Sequence, residues 1–151
     1  MKNPECRATA RLLVLDENDH LVLTKRKLDA KQRAGQWDIP GGEVEPGELY
    51  LDAAVRECQE ELTITINSEL VQPSPVHSEY NFDTRTDEWF ARYYFLFTGR
   101  LAVAQVMMLT EADARTHAPL DHARELVSFI PHQRAIDQLG AQTRASPLTV
   151  A

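Results

Sequence analysis

The stretch from Gly42 to Ile64, GEVEPGELYLDAAVRECQEELTI, constrains the fold more than any other part of the sequence. Four apolar residues recur at helical spacing in its second half: Leu51, Val55, Cys58 and Leu62. Glu57, Glu60 and Glu61 fall on the opposite side, because offsets of three and four residues share one helix face. The pattern predicts a helix that buries one stripe in a core and presents three neighbouring carboxylates on the other side.

Three neighbouring carboxylates favour a bound cation. Close carboxylates repel, and one of them would ordinarily take up a proton. A divalent ion removes that conflict, and Mg²⁺ prefers carboxylate and water oxygens. Glutamate is also a good helix former, so the same pattern taken alone is typical of an exposed helix face.

The residues in front of the helix favour the metal site over the exposed face. Pro40-Gly41-Gly42 and Pro46-Gly47 are turn formers on both sides of an acidic segment. Glycines allow a backbone to approach a ligand closely, and this loop leads into a helix N-terminus.

The whole arrangement resembles the signature of Nudix hydrolases, G-x5-E-x7-R-E-U-x-E-E-x-G-U, in which U is apolar. Gly42 and Glu48 fit its first part, and the run from Arg56 to Ile64 fits the rest with one departure. That departure is Thr63, where the family usually has glycine. Glycine suits a left-handed residue at a helix end and β-branched threonine does not, so we expect unusual geometry at the helix exit.

The resemblance implies an α/β fold, a Nudix-type α/β/α sandwich with a mixed β-sheet between helices. It also implies a metal-dependent hydrolase that cleaves a phosphoanhydride in a nucleoside diphosphate linked to another moiety X. The nucleotide-pool type, acting on dNTPs or oxidised purine dNTPs, is the first expectation. ADP-ribose and dinucleoside polyphosphates remain as alternative substrates, and a non-catalytic nucleotide-binding regulator remains as an alternative class. An isoprenoid diphosphate isomerase is disfavoured, because no cysteine lies in the loop before the signature.

The resemblance also assigns roles to residues of the signature. Glu57, Glu60 and Glu61 are expected to bind Mg²⁺, with Mn²⁺ as the alternative ion, and one of them is expected to accept a proton from water. Arg56 is expected to orient these carboxylates by pairing with Glu48, with Asp52 as the alternative partner. The Gly41 carbonyl is a further candidate ligand, and Gly42 shapes the substrate loop.

Basic residues outside the signature are candidates for phosphate binding. Arg26 stands in the run Lys25-Arg26-Lys27 at a strand end. Nudix hydrolases that resemble this chain often carry a basic residue on that strand. The alternative is that these residues only form a solvated strand end. Arg92 interrupts the apolar run WFARYYFLFT, so it either reaches a solvent edge or points into the cleft.

A further acidic ligand is expected late in the chain. Many Nudix hydrolases carry an acidic residue followed by histidine in a loop before a late strand, and Asp121-His122 resembles that pair. A surface aspartate is the alternative for Asp121, and Glu111 is the competing candidate.

The remaining pattern predicts one domain over residues 1–140 and a frayed tail over 141–151. Strands are predicted for 7–15, 20–25, 63–70, 76–82, 89–98, 101–109 and 126–129, with the first two forming a hairpin and 89–98 in the centre. Helices are predicted for 110–117 and 131–139, the second ending at Gly140.

Composition narrows the partners. A net charge of −7 at pH 7 argues against a protein that coats a nucleic acid polymer. Two cysteines form no disulfide framework, and buried Cys58 is expected to be a core residue. No apolar run is long enough to cross a membrane, which makes the cytoplasm the default location. A homodimer is one oligomeric state that we expect, although the sequence does not fix it.

Overall fold

The computed structural model describes residues 6–103 and 115–145, in which β-sheets lie between helices. In chain order, the elements are β1 (Arg7–Leu13), β2 (Leu21–Lys25), β3 (Trp37–Asp38), β4 (Gly41–Glu43), α1 (Tyr50–Leu62), a 3₁₀ turn (Ser68–Leu70), β5 (His77–Asp83), β6 (Glu88–Leu96), β7 (Arg115–Ala118), α2 (Leu120–Leu126) and α3 (Ile130–Ala145). None of the described helices is both long and apolar enough to cross a bilayer.

The larger sheet is mixed and has the strand order β4-β1-β6-β5. Strands β1 and β6 run parallel, whereas β4 and β5 pair antiparallel with their neighbours. A smaller antiparallel sheet has the order β3-β2-β7. The predicted α/β/α architecture with a mixed sheet is therefore confirmed, and residues 89–98 do supply an interior strand.

From the end of β1 onwards, the run of residues 12–15 is continuously apolar because both faces of the chain are buried there. Successive side chains of a strand point to opposite faces. Ala10 and Leu12 pack in a core cluster with the buried stripe of α1, while Leu13 packs with Tyr94 and with residues of α3 in a second cluster. Two cores therefore sandwich the larger sheet between α1 and α3.

The predicted hairpin of the first two strands forms only around its turn, where Asp16 N–H donates to the His20 carbonyl and Val22 N–H donates to the Val14 carbonyl, each at 2.9 Å. β1 belongs to the larger sheet and β2 to the smaller one, and the two meet at the isolated bridge between Leu15 and Leu21. The chain crosses from one sheet to the other at the turn after Leu15. A short turn joined two apolar runs in the sequence, but each strand pairs with partners distant in sequence.

The strand predicted for 63–70 is also wrong. Thr63 ends α1 in a left-handed conformation, and Ser68–Leu70 form a 3₁₀ turn in which the Asn67 side chain accepts a hydrogen bond from Glu69 N–H. Ile66 is buried, and its N–H donates to the side chain of Gln59 on α1 instead of to a strand. The β-branched residues therefore cover the end of the helix.

Two late predictions need correction. Residues 120–126 are helical instead of loop, and the strand predicted for 126–129 is not formed; Ala123 and Val127, four residues apart, are both buried, which is a helical spacing. Gly140 does not end α3, which continues to Ala145. Residues 115–117, predicted to be helical, belong to strand β7. The rest of that predicted helix and most of the strand predicted for 101–109 lie outside the described residues.

Candidate active site

Helix α1 separates an apolar and an acidic face as its sequence predicts. Its buried residues are Ala53, Ala54, Val55, Cys58 and Leu62. Burial raises the pKa of the Cys58 thiol, so this cysteine stays protonated and behaves as a core residue. The opposite face carries Arg56 and the three glutamates beside strand β4.

The glycines of β4 let the backbone lie directly against the acidic face. A β-carbon at Gly42 would come within 2.6–2.9 Å of the Glu57 carboxyl group, and one at Gly41 would collide with the Ala10 carbonyl oxygen. Gly41 N–H donates to Oε2 of Glu61 at 3.4 Å. Glu57 and Glu61 are thus brought to the same short strand, where no larger residue would fit.

Arg56 joins the loop to the helix. Its Nε and Nη2 donate to the two oxygens of Glu48 at 2.8 and 3.0 Å, and its Nη1 donates to Oε1 of Glu57 at 2.9 Å. Glu60 lies farther away, with Oε1 at 3.6 Å from Nη1. The hydrogen bonds from Arg56 lower the pKa of Glu48. The partner of Arg56 is therefore Glu48, not Asp52, and its guanidinium fixes the position of Glu57.

The carboxyl group of Glu61 is crowded although the residue as a whole is exposed. Burial of its carboxyl group among protein atoms raises the pKa to about 8, opposed by the charge of Arg11 and by the Gly41 N–H, while Asp38 and Glu57 raise it further. The pKa depends on the surroundings of the carboxyl oxygens, which lie against protein atoms while other parts of the residue face solvent. An excess of negative charge therefore accumulates around Glu61 and Glu57.

The donor chemistry fits a hard divalent cation. Within residues 6–103 and 115–145, no three His, Cys, Asp or Glu side chains stand close enough together to hold a metal ion by themselves. Glu60 in particular is 60% exposed. However, Mg²⁺ is usually bound by one or two carboxylates, several waters and substrate phosphates instead of a complete protein cage. Glu57 and Glu61 beside Gly41 supply that smaller set.

A basic cleft of about 650 Å³ begins at the same glycines. Its floor includes Arg7, Thr9 and Arg11, which alternate along β1 with the residues that face α1. Among the described residues, the basic side chains that line it are Arg7, Arg11, Arg26, Lys31, Arg33, Arg85 and Arg92. In a chain with a net charge of −7, this concentration of positive charge identifies a binding surface for a polyanion.

Asp38, which is not among the site residues predicted from the sequence, holds several of these arginines. Oδ2 of Asp38 accepts from Arg11 at 3.1 Å and from Arg26 at 3.2 Å, while Oδ1 accepts from Arg33 at 3.2 Å and is in short contact with Nε2 of His132. The Asp38 side chain is only 7% exposed. The only sequence signal was its place directly before the signature loop, in an extended segment expected merely to lead into it.

In the network around Asp38, the Asp38 carboxyl group is ionised and the His132 ring is neutral. Burial opposes ionisation of Asp38, but Arg11, His132 and Arg33 outweigh it and hold the pKa of this carboxyl well below its usual range. Burial lowers the pKa of His132 to about 3, with Arg11 acting in the same direction and Asp38 opposing it. His132 is therefore neutral, and its Nδ1 lies 2.8 Å from the Tyr94 hydroxyl.

The two basic candidates from outside the signature both line the cleft. Arg26 reaches it while its Nη1 is held by Asp38 and its Nε donates to the Gln32 carbonyl. Arg92 points into the cleft instead of a solvent edge, with its guanidinium 5.3 Å from the ring centres of Phe90 and Phe129. Both positions suit the predicted phosphate contacts, which stay predictions.

Asp121, the late acidic candidate that lies within the described residues, is not brought to this site. Asp121 lies exposed in the first turn of α2, where its carboxylate accepts from the N–H of His122, and it is not among the residues that line the cleft. Helix α2 packs against α3, β7 and β2. The structure lends no support to Asp121 as a metal ligand, and Glu111 lies outside the described residues.

Sequence comparisons agree with the signature. A family model described as the NUDIX domain matches residues 6–135. The chain is 46% identical over 50 residues to the "Putative 8-oxo-dGTP diphosphatase" of Bacillus subtilis, a match covering 33% of this chain and 30% of that protein. It is 42% identical over 53 residues to the "8-oxo-dGTP diphosphatase" of Escherichia coli, covering 35% and 40%. The chain thus spans well under two thirds of the length of these curated relatives.

A solved structure shares the fold over nearly the whole chain. The MutT protein from Methanosarcina mazei Go1 superposes with a TM-score of 0.73 at 17% identity, covering 95% of this chain and 99% of that one. Its layers match those described above. With the family model extending over residues 6–135, the glycine strand, the Arg56–Glu48 pair and the acidic helix face identify this chain as a member of the NUDIX domain family.

Proposed function

We propose that this chain is a metal-dependent pyrophosphohydrolase that cleaves a phosphoanhydride bond in a nucleoside diphosphate linked to another moiety. The proposal rests on one observation: negative and positive side chains lie on the two sides of the short strand β4. The acidic face of α1 meets Gly41 and Gly42 on one side, and the basic cleft begins at the same glycines on the other. A polyphosphate entering the cleft would place an anhydride beside Glu57 and Glu61.

In the proposed reaction, the oxygen of water bonds to one phosphorus and the bridging oxygen leaves with the other phosphate. A bound divalent ion, Mg²⁺ or Mn²⁺, would neutralise phosphate oxygens and lower the pKa of the attacking water. Glu57 and Glu61 would hold the ion, and Glu60 would join them only after moving away from Arg56. Arg56 would keep Glu57 aimed at β4, because its guanidinium is itself anchored by Glu48.

The proton of the attacking water needs an acceptor near the anhydride. One of the two glutamates that reach the glycines of β4, Glu57 or Glu61, would accept it. The arginines of the cleft would bind phosphate oxygens, since a guanidinium presents paired N–H donors that match them. These phosphate contacts do not distinguish one nucleobase from another.

Our first expectation for the substrate remains a compound of the nucleotide pool, a dNTP or an oxidised purine dNTP. Two relatives carry the name 8-oxo-dGTP diphosphatase, and the regions that match them are similar at 42–46% identity. Dinucleoside polyphosphates and ADP-ribose are the alternatives. A panel of these compounds, assayed with Mg²⁺ and with Mn²⁺ and scored for pyrophosphate against orthophosphate, would rank them.

The decisive variant is Glu57→Gln. It keeps the side-chain volume and removes a charged ligand, so metal-dependent turnover should fall by orders of magnitude while the circular dichroism spectrum is unchanged. Glu125→Gln on α2 is the matched control, because that side chain is 79% exposed and lies outside the cleft. Wild-type turnover by the Glu57 variant would contradict the site. Nucleotide binding without turnover by the unmodified chain would instead favour the regulatory module.

A further inference from the structure

The side of the larger sheet that faces α1 carries aromatic residues on its two outer strands. Tyr93 of β6 packs against the α1 core and is in register with Ala10 of β1, which belongs to that core. Alternate residues of a strand share one face, so Trp89 and Ala91 lie on this side as well. Their cross-strand partners on β5 complete a set that we call the aromatic face. Its residues are Ser78, Tyr80, Phe82, Trp89, Ala91 and Tyr93.

Three rings of the aromatic face pack on one another and remain open to solvent. The rings of Tyr80 and Trp89 are parallel to within 8° with centres 4.8 Å apart, and Phe82 meets Trp89 edge-on at 5.2 Å. Tyr80 is 58% exposed, Phe82 43% and Trp89 40%. Tyr50 of α1, 44% exposed, extends the surface by stacking on Tyr93. Helix α1 lies mainly over β1 and β4, so within the described part of the chain it leaves these rings uncovered.

The aromatic face carries no charge at any of its six positions. The alternate positions of the same strand segments, on the opposite side of the sheet, include Glu79, Asp83, Glu88 and Arg92. When one face of an antiparallel pair is left in water, that face is normally the polar one. Here the charged side chains lie on one side and exposed rings on the other, although 26% of the chain is charged. An exposed apolar patch of this kind indicates a surface that a partner covers.

A second copy of the chain is the partner that this surface fits. Complementary charges select a partner of different sequence, and the aromatic face offers no charge for that selection. A copy related by a two-fold axis needs none, because each patch packs against the same patch. Tyrosine, tryptophan and phenylalanine are also enriched at the centre of protein interfaces. The net charge of −7 opposes association, but it is carried outside this face.

The exposed area suits a weak dimer. With about half of each ring exposed, Tyr50, Tyr80, Phe82 and Trp89 supply roughly 400 Å² of apolar surface per protomer. A polar rim of similar extent would bring the interface to about 800 Å² per protomer, the usual size of a specific complex. Because the rings already pack on one another, they lose little further freedom when a partner covers them.

We propose that the aromatic face is a homodimer interface, in which Tyr80, Phe82 and Trp89 pack against the same surface of a second copy. This face lies on the α1 side of the larger sheet, whereas Arg11 and Arg92 line the basic cleft on the other side. Both clefts therefore stay open in the dimer. The inference does not depend on which bond the chain cleaves.

Sedimentation of the unmodified chain tests the dimer. Between about 1 and about 500 µM it should show a monomer–dimer equilibrium with a dissociation constant on the order of 10–100 µM, as expected of a small interface. Tyr80→Lys should raise this constant at least about 30-fold, as the loss of an interface hot spot does, because two like charges then meet in the contact. Leu28→Lys is the matched control: Leu28 is 87% exposed and lies outside the aromatic face, so the constant should not change. Thermal unfolding verifies that each variant is folded.

A mixture of two variants tests whether like surfaces meet. Tyr80 belongs to the middle one of the three residue pairs in the face, so Tyr80→Lys and Tyr80→Glu should each be monomeric alone and form a dimer when mixed. A mixture that stays monomeric would overturn the proposal, as would an unmodified chain that is monomeric at the highest concentration or a dimer that Tyr80→Lys leaves intact. A monomeric chain that uses this face to bind lipid vesicles or a different protein would also overturn it.

Discussion

Thr63 ends α1 in a left-handed backbone conformation, with φ 53° and ψ 46°. The family signature has glycine at this position, and the chain keeps the geometry without the residue that suits it. A left-handed conformation costs an L-residue roughly 1–2 kcal/mol, and β-branched residues are among the least tolerant of it. The sequence indicated strain at the helix exit, and the backbone shows where it lies.

Thr63→Gly should therefore stabilise the protein. Glycine removes the strain but loses more chain entropy on folding, by about 0.5–1 kcal/mol, so we expect a net gain of up to about 1 kcal/mol. Urea unfolding measures it. Thr65→Gly is the matched control, because Thr65 is not among the residues with positive φ, and it should be neutral or destabilising. A loss of stability in the Thr63 variant would mean that its side-chain contacts outweigh the strain.

Glu61 gives a second prediction, on pH dependence without metal. Its folded-state pKa of about 8 exceeds the ordinary 4.5, so the folded state keeps a proton that the unfolded state loses between those values. Stability attributable to this group therefore falls as pH rises from 4.5 to 8.

Glu61→Gln should remove that loss. With EDTA present, the variant should gain free energy of unfolding over wild type at pH 8.5 compared with pH 5.5. Solvent screening of this exposed side chain limits the gain to about 1 kcal/mol. Glu125→Gln should show no such change, and a Glu61 variant that parallels wild type at both pH values would contradict the crowding of this carboxylate.

At the scale of elements, α1 and β4 work as one unit because Arg56 links them. The guanidinium binds Glu48 from the loop and Glu57 from the helix, and Nη2 also donates to the Glu43 carbonyl at 3.2 Å. Without Glu48, Arg56 would be free to pair more closely with Glu57 and Glu60, in competition with a metal ion.

Glu48→Gln should therefore raise the Mg²⁺ concentration needed for half-maximal activity, by roughly ten-fold, as changes in residues behind metal ligands typically do. The midpoint of thermal unfolding should change little, because the pair is only partly buried and glutamine keeps the volume of the side chain. Glu45→Gln serves as the control. Glu45 is 69% exposed, and the distance of 3.9 Å from its Oε1 to Nη2 of Arg56 is too long for a hydrogen bond. If the Glu48 and Glu45 variants needed the same Mg²⁺ concentration, Glu48 would have no role in positioning the metal ligands.

How far the sequence predicts elements depends on whether their partners are local. The period of α1 and the glycines of β4 specify their own geometry, whereas the Arg56–Glu48 pair, which joins the loop to the helix, was expected from the family signature. The main pairings of β1 and β2 are not local: each strand finds partners distant in sequence, so the hairpin suggested by the short turn between them forms only at the turn and does not extend along the strands. Asp121 was placed by analogy alone, and the helical spacing of Ala123 and Val127 outweighed it.

At the scale of the molecule, Asp38 joins parts of the chain that share no sequence signal. It lies on β3 of the smaller sheet, and it binds Arg11 from the larger sheet, Arg33 from a loop and His132 from α3. No spacing rule connects these positions, and for that reason the sequence could not predict the network. Three of the cleft arginines, Arg11, Arg26 and Arg33, owe their orientation to this contact between layers.

Asp38→Asn should destabilise the protein strongly. The amide keeps the shape but leaves Arg11, which is 6% exposed, without its counterion, and breaking a buried ion pair by removing one partner typically costs about 3–5 kcal/mol. Urea unfolding at pH 7 measures the loss. Asp29→Asn is the matched control, because Asp29 is exposed and should change stability by less than about 0.5 kcal/mol. Because the same carboxylate orients Arg26 and Arg33, any folded Asp38 variant should also show a raised KM for polyphosphates. An Asp38 variant as stable as the Asp29 variant, with unchanged KM, would show that the arginines are oriented without it.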